Sequence, residues 1–149
     1  MVIYVDGDSC PVKGEIERVG SRHGVQMVIV TNGGLRPSTN PLIETVFVSQ
    51  GLDVADDWIA ERATAGDVVI TGDIPLAAQC IGKGAVVVQH DGTVLNAENI
   101  GPVLASRNLM TDLRAADPLR QSGGRGFSGA DRAQFLNALE RVLRSHTRL

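Results

Sequence analysis

The sequence predicts an α/β fold with a central, mainly parallel sheet covered by helices. Short apolar segments rich in β-branched residues alternate with helical segments over residues 1–96. The apolar segments, such as Val25 to Thr31, are nearly continuous, which is typical of strands with both faces buried in a parallel sheet. A length of 149 residues with 43% hydrophobic content favours one domain spanning 1–149.

Each element is predicted from its composition and from the turn residues beside it. Pro11 and Pro75 suit the first turn of a helix, whereas Gly24 and Gly66 suit the end of one. Strands are predicted at 2–5, 25–31, 43–49, 68–71 and 85–88, and helices at 11–23, 53–65, 75–82, 100–115 and 129–146. Residues 1–96 therefore form an α/β core and residues 97–149 a helical C-terminal part, interrupted by the Gly-rich segment Ser122 to Gly129.

Charge is distributed unevenly along the chain, although the net charge is only −3. Residues 1–100 carry 6 basic and 13 acidic side chains, whereas residues 101–149 carry 8 and 4. Every basic residue in the second segment is Arg, whose planar guanidinium group suits phosphate oxygens. The pattern fits a phosphate-binding segment, and it equally fits a solvated amphipathic helix with ordinary ion pairs.

Three aspartates follow predicted strands, at the sheet edge where α/β proteins bind ligands. Asp6 and Asp8 follow the first strand and Asp73 follows the fourth. If these strands are neighbours, the carboxylates converge, and their repulsion favours a hard divalent cation, Mg²⁺ or Mn²⁺. The alternative is that each Asp serves only its local turn or helix cap.

Further acids begin the second helix. Asp53 is expected to be its N-cap, with Asp56 as a capping-box-like acid three residues on. We expect Asp56 to be the fourth acid of the cluster. Asp57 points about 100° away from Asp56 on the helix and is the weaker candidate.

Polar residues beside the acids are candidate substrate-binding groups. The Thr71 hydroxyl can orient a carboxylate or a water, or it can simply end a strand. Lys13 and Ser9 can contact a phosphate, or Lys13 can simply be solvated. Asn32 can donate a hydrogen bond at the site or stabilise a turn.

The remaining chemically active residue types show no metal-ligand spacing. His23, His90 and His146 are expected on the surface. Cys10 and Cys80 are expected to be small core or near-site residues and not a disulfide.

Carboxylate-bound metal ions suit phosphoryl chemistry, so phosphodiester hydrolysis is the leading reaction class. Arginines of the C-terminal segment, of which we single out Arg107 and Arg114, would then contact the polyanion without reading its bases.

Three segments of the chain resemble the signature blocks of the bacterial YaiI/YqxD family. They read IYVDGDSCPVK, GLDVADDWIAERATAGDVVITGDIPLAAQCIGKGA and RNLMTDLR. That family is considered similar to PIN domains, which are metal-dependent nucleases. The resemblance therefore implies a PIN-like three-layer α/β/α fold and a metal-dependent nuclease, with RNA favoured over DNA as the expected substrate.

The resemblance also carries site residues over to this chain. Its D-x-D, D-x-x-D and D-I-P-L-A elements match Asp6, Asp8, Asp56 and Asp73. The chain departs from the family in the late loop, where it has Arg125 in place of a proline after two glycines.

Two other functions remain open. A HAD-type phosphatase is one, because VDGD, VTNGG and VVITGD imitate its strand-end motifs, although no Lys precedes Gly72. A non-catalytic protein that binds nucleic acid through the basic segment is the other.

Location and assembly are only partly predicted. No apolar run is long enough to span a bilayer, and the N-terminal strand-like segment lacks the pattern of a signal peptide, so we expect a cytoplasmic protein. A homodimer is possible.

Overall fold

The computed structural model describes residues 1–8, 10–33, 36–51, 53–106 and 127–147. The strands of its central sheet are β1 (Val2–Asp6), β2 (Gln26–Thr31), β3 (Ile43–Phe47), β4 (Val68–Ile70), β5 (Val86–Val88) and β6 (Val94–Leu95). They form one six-stranded sheet in the order β3-β2-β1-β4-β5-β6. Strands β1 to β5 run parallel to one another, and β6 runs antiparallel to β5.

Helices cover both faces of this sheet. They are α1 (Lys13–Arg22), α2 (Val54–Arg62), α3 (Ile74–Ile81), α4 with described residues 100–106, and α5 (Gly129–Thr147). Ile16 of α1 and Phe135 of α5 are buried in one hydrophobic cluster. Ile59 of α2 and Leu76 of α3 are buried in a second. Two helical layers therefore enclose the sheet.

Strand β2 shows why its sequence is almost continuously apolar. Met27 and Ile29 face the cluster that contains α1 and α5, whereas Val28 and Val30 face the cluster that contains α2 and α3. Because successive side chains of a strand point to opposite faces, a strand between two helical layers must be apolar at every position. The predicted three-layer α/β/α architecture with a mainly parallel sheet and C-terminal helices is confirmed.

Local predictions differ from the structure at three places. Asp53 lies at the N-cap position of α2, but its backbone is left-handed, with φ of 63°, and its side chain makes no capping hydrogen bond. The predicted capping box is therefore wrong. Pro11 precedes α1 in a turn instead of lying in its first turn. The short strand β6 was not predicted, because two residues are too few to show a pattern.

Helix ends follow the expected chemistry elsewhere. Asp73 is the N-cap of α3 and accepts a hydrogen bond from the Leu76 N–H at 3.0 Å. At the start of α5, Ser128 and Asp131 exchange hydrogen bonds of 3.1 Å, which is the reciprocal pattern of a capping box. Within the described residues, no helix combines the length and the apolar character needed to cross a bilayer.

Candidate functional site

The order of the strands creates a crevice at the carboxyl end of β1. The chain passes outward from β1 to β2 and β3, and then returns to place β4 on the other side of β1. Val5 pairs with Ile70 across this junction, so β1 and β4 end side by side. Ligands of open α/β sheets bind at such a reversal of strand order.

A cavity of about 200 Å³ lies at this crevice, and half of its lining residues are acids. Five carboxyl-bearing residues contribute to it, together with polar and small residues from the loops after β2 and β3. The acids are Asp6, Asp8, Asp53, Asp56 and Asp73, and the neighbours include Asn32, Ser49 and Gly51. Asp6, Asp8, Asp56 and Asp73, predicted from separate segments, are thus brought together.

Gly7 sets the close approach of the first two acids to β2. Its N–H donates to the Val30 carbonyl at 2.8 Å. A Cβ atom at this position would lie 2.8 Å from both the Val30 oxygen and the Ile29 Cγ2 atom. The D-G-D segment therefore needs glycine at its centre.

Asp8 is held against the end of β2. Its Oδ1 accepts a hydrogen bond of 2.8 Å from the Thr31 hydroxyl, and the Asn32 N–H lies 3.3 Å from each of its carboxylate oxygens. Thr31 is buried, so this contact fixes the Asp8 side chain.

Asp6 is connected to Asp73 through Thr71. The Thr71 hydroxyl donates to Asp6 Oδ2 at 3.3 Å and accepts from the Asp73 N–H at 3.0 Å. Burial raises the pKa of Asp6, and the charges of Asp8 and Asp73 add to the rise, against the hydrogen bond from Thr71. Thr71 itself is buried, which gives its hydroxyl few other partners.

Asp56 carries the strongest electrostatic perturbation of the acid cavity. Burial raises its pKa to about 7, helped by a side-chain hydrogen bond to Asp73 and by the charges of Asp73, Asp6 and Asp53. A hydrogen bond between two carboxyl groups requires a proton on one of them. Asp57 is exposed and does not line the cavity.

The acids are hydrogen-bonded to the protein and to each other instead of forming a coordination sphere. Among the described residues, no group of three or more His, Cys, Asp and Glu side chains is arranged to hold a metal ion. Asp8 is turned toward β2, and Asp73 is engaged with the first turn of α3. The donor set nevertheless fits a hard divalent cation in chemistry, since it offers only oxygen ligands and excess negative charge.

Comparison with known proteins identifies the family. The family model described as "Uncharacterized BCR, YaiI/YqxD family" matches residues 4–145. The chain belongs to the YaiI/YqxD family. No solved structure matches it.

Curated relatives in this family are similar over almost their whole length. A UPF0178 protein of Roseobacter denitrificans is 65% identical over 142 residues, which cover 95% of this chain and 94% of that protein. One from Ruegeria pomeroyi is 60% identical over 147 residues, covering 98% and 96%. One from Gluconacetobacter diazotrophicus is 52% identical over 138 residues, covering 93% and 89%.

The predicted substrate-binding residues of this YaiI/YqxD protein are divided by the structure. Thr71 and Asn32 contact the acids as described above. Lys13 instead lines a separate cavity of about 150 Å³, together with Arg36. Ser9, Arg107 and Arg114 lie outside the described residues, as do residues 122–126 of the Gly-rich segment.

Sequence reasoning missed two features of this edge of the sheet. Asp53 and Ser49 line the acid cavity, and the left-handed backbone of Asp53 is a signal that only coordinates provide. The surface assignment was wrong for two histidines, and the side chain of the third, His146, lies outside the described part of the chain. His23 is largely buried and lies 3.0 Å from Glu140, and His90 is half-buried at the end of β5.

Proposed function

We propose that this chain is a divalent-metal-dependent nuclease that hydrolyses phosphodiester bonds and prefers RNA to DNA. The observation that carries the proposal is the meeting of Asp6, Asp8, Asp56 and Asp73 in one small cavity where β1 and β4 end together. Family membership supports the RNA preference through the likeness of the family to PIN domains.

The charge of the acid cavity supports binding of Mg²⁺ or Mn²⁺. With its pKa raised to about 7, Asp56 is only partly ionised near neutral pH, because ionising every carboxylate of the cluster is costly. Asp6, Asp8 and Asp73 would hold the cation, which would polarise the phosphodiester and increase the acidity of a water molecule. Asp56 would complete the cluster.

The other groups of the cavity have roles that follow from their contacts. Thr71 positions Asp6 through its hydroxyl group, and Thr31 positions Asp8. Asp56 has a pKa near 7, so its carboxylate can accept a proton from an attacking water near neutral pH. Lys13 would contact a flanking phosphate outside the acid cavity. Arg107 and Arg114 are proposed to do the same.

The test combines metal binding with cleavage. Mn²⁺ is titrated by calorimetry into the wild type, Asp6→Asn, Asp73→Asn and Asp57→Asn, and the same proteins are incubated with end-labelled single-stranded RNA and the matching DNA. We expect the wild type and Asp57→Asn to bind Mn²⁺ and cleave RNA faster than DNA. Asp57 is the matched control because it is exposed on α2 and does not line the acid cavity.

Asp73→Asn is expected to lose at least about ten-fold in Mn²⁺ affinity and in cleavage, since one charged ligand is removed. Unchanged Mn²⁺ affinity in Asp73→Asn would remove the metal site. Unchanged Mn²⁺-dependent cleavage in both Asp6→Asn and Asp73→Asn would remove the catalytic proposal.

A non-catalytic nucleic-acid-binding protein is the second candidate. The observation that favours it is the hydrogen bonding of Asp8 to the end of β2 and of Asp73 to the first turn of α3, without a set of three ligands among the described residues. RNA binding without any Mn²⁺-dependent cleavage would support this candidate. A transient aspartyl-phosphate on Asp6 would instead support a HAD-type phosphatase.

A further inference from the structure

A second cavity, of about 430 Å³, lies at the same edge of the sheet, beside the ends of β4 and β5. Gly72 lines this second cavity and immediately precedes Asp73, which lines the acid cavity. The two cavities are therefore separated by one position along the chain. Its volume falls in the range of roughly 300–1,000 Å³ that is common for small-molecule sites. The other lining residues are Gln89, His90, Asp91, Phe127 and Asp131.

Phe127 gives this cavity an exposed aromatic wall. The ring is 39% exposed, although burying it would be favourable. The Arg132 guanidinium lies 5.1 Å from the ring centroid and is itself held by Glu15 at 2.8 Å and by the Pro11 carbonyl at 2.9 Å. Phe127 is therefore supported by a fixed cation, which favours it as a stacking platform.

Two further side chains provide hydrogen-bonding groups. The Gln89 amide offers both donors and an acceptor. His90 Nε2 is enclosed and has no hydrogen-bond partner among the described residues. The Cε1 and Nδ1 atoms of this ring both lie 3.8 Å from the position that a Cβ atom would take at Gly72. Rotation of the imidazole by 180° about χ2 exchanges Nε2 with Cε1 and so brings Nε2 to that side of the ring. A ligand in the cavity could then satisfy this nitrogen.

The charge of this second cavity favours a nucleobase over a phosphate. Asp91 and Asp131 line it, and no Lys or Arg does so among the described residues. The exposed Asp91 carboxylate disfavours a phosphate, whereas an aromatic ring, an amide and an imidazole suit a nucleobase that is unstacked from its neighbours.

We propose that this cavity, defined by Gly72, Gln89, His90 and Phe127, binds the nucleobase of a nucleotide next to the phosphate that the acid cluster receives. The proposal rests on the proposed nuclease function for the position of that phosphate. The base stacks on Phe127, and Gln89 and His90 contact its edge.

The experiment compares two fluorescently labelled probes, a short single-stranded oligoadenylate and the same oligonucleotide with abasic residues. Binding is measured by anisotropy in EDTA, so that no cleavage occurs. Both probes carry the same phosphates, so repulsion from the acids affects them equally. The proteins are the wild type, Phe127→Ala, Phe127→Tyr and Phe47→Ala, where Phe47 is an exposed phenylalanine on β3.

We expect the wild type to bind the base-containing probe roughly ten-fold or more tightly than the abasic probe, because stacking of one base has an effect of this size. Phe127→Ala should lose most of this preference, whereas Phe127→Tyr and Phe47→Ala should retain it. An oligodeoxyadenylate probe tests whether the base alone is recognised. If it is preferred over its abasic counterpart as strongly as the oligoadenylate is, the 2′-hydroxyl does not contribute to binding.

Equal affinity for the two probes, no binding of either, or the same loss in Phe47→Ala as in Phe127→Ala would overturn the base subsite. These outcomes are separable from failure of the nuclease proposal. If the wild type cleaves RNA with Mn²⁺, Asp73→Asn does not, and the base-containing probe is not preferred, only the base subsite is contradicted. If the base-containing probe is preferred but no cleavage occurs, only the proposed nuclease activity is contradicted.

Discussion

Gly7 illustrates how one residue without a side chain shapes the acid cluster. It separates Asp6 from Asp8 and lies against the backbone of β2, where a Cβ atom would meet the Val30 oxygen at 2.8 Å. A methyl group there must displace the strand end, and with it the two carboxylates. Stability and metal binding should therefore respond together to a change at this position.

We predict that Gly7→Ala lowers the free energy of unfolding by about 1–3 kcal/mol, the usual cost of overpacking. The matched control is Gly14→Ala in α1, where nothing lies within 4 Å of the added Cβ. That change should be neutral or stabilising, because alanine favours a helix over glycine. Denaturant unfolding measures both, and an equally stable Gly7→Ala variant would contradict the steric interpretation.

Asp56 makes stability depend on pH. Its pKa in the folded chain is about 7, above its ordinary value of 3.8. Between these values the folded chain holds a proton that the unfolded chain has lost, so stability falls as pH rises from about 4 to about 7 and remains lower above that range. The contribution is present in full only at low pH.

We predict that Asp56→Asn, in EDTA, is more stable than the wild type by about 1 kcal/mol near pH 8, a magnitude reduced for solvent screening of a partly exposed group. The difference should shrink toward about pH 4. Asp57→Asn, on the same helix, should show no such pH dependence. Thermal unfolding across this pH range measures the effect, and a constant difference between wild type and Asp56→Asn would argue against the raised pKa.

At the scale of elements, Asp73 belongs to both a helix and the candidate site. Its Oδ1 caps α3, and its backbone N–H is held by Thr71 from the end of β4. The strand end, the cap and the cavity wall are therefore one continuous structure. Stability and function can be separated here because asparagine caps a helix about as well as aspartate does.

We predict that Asp73→Ala loses about 1 kcal/mol of stability through loss of the cap, whereas Asp73→Asn loses little. Both variants should lose Mn²⁺ binding, because both remove the negative charge. Urea unfolding and calorimetry on the same preparations distinguish the two effects. Retention of Mn²⁺ affinity by Asp73→Asn would contradict the proposed metal site.

At the scale of the whole molecule, the charge is separated between an acidic α/β core and a basic C-terminal segment. Residues 1–100 carry 13 acidic and 6 basic side chains, and residues 101–149 carry 8 arginines and 4 acids. An acidic core repels a polyanion, so contacts to nucleic acid are expected to depend on the arginines.

We predict that the logarithm of the binding constant for a short single-stranded RNA falls linearly with the logarithm of the salt concentration. The slope should be about −0.7 for each neutralised phosphate. The control is an oligonucleotide of the same sequence with an uncharged backbone, whose binding should not change with salt. Fluorescence anisotropy over a salt series measures both. Salt-independent RNA binding would contradict a role for the arginines.

The sequence by itself determined the class of fold and the composition of the candidate site. Strands enclosed by helices on both faces must be apolar at each position, so β2 is visible in the sequence without coordinates. The placement of Asp6, Asp8 and Asp73 after apolar strands predicted their convergence at one edge of the sheet. Asp56 was assigned by resemblance to the family.

Only the tertiary structure decided how these parts meet. Strand order is set by packing between segments distant in the chain, so the pairing of β1 with β4 could not be derived from local pattern. The same holds for the left-handed backbone of Asp53 and for the raised pKa of Asp56 beside Asp73. Local sequence specifies which residues lie at a strand end, whereas long-range packing specifies their neighbours, and the chemistry of the site depends on those neighbours.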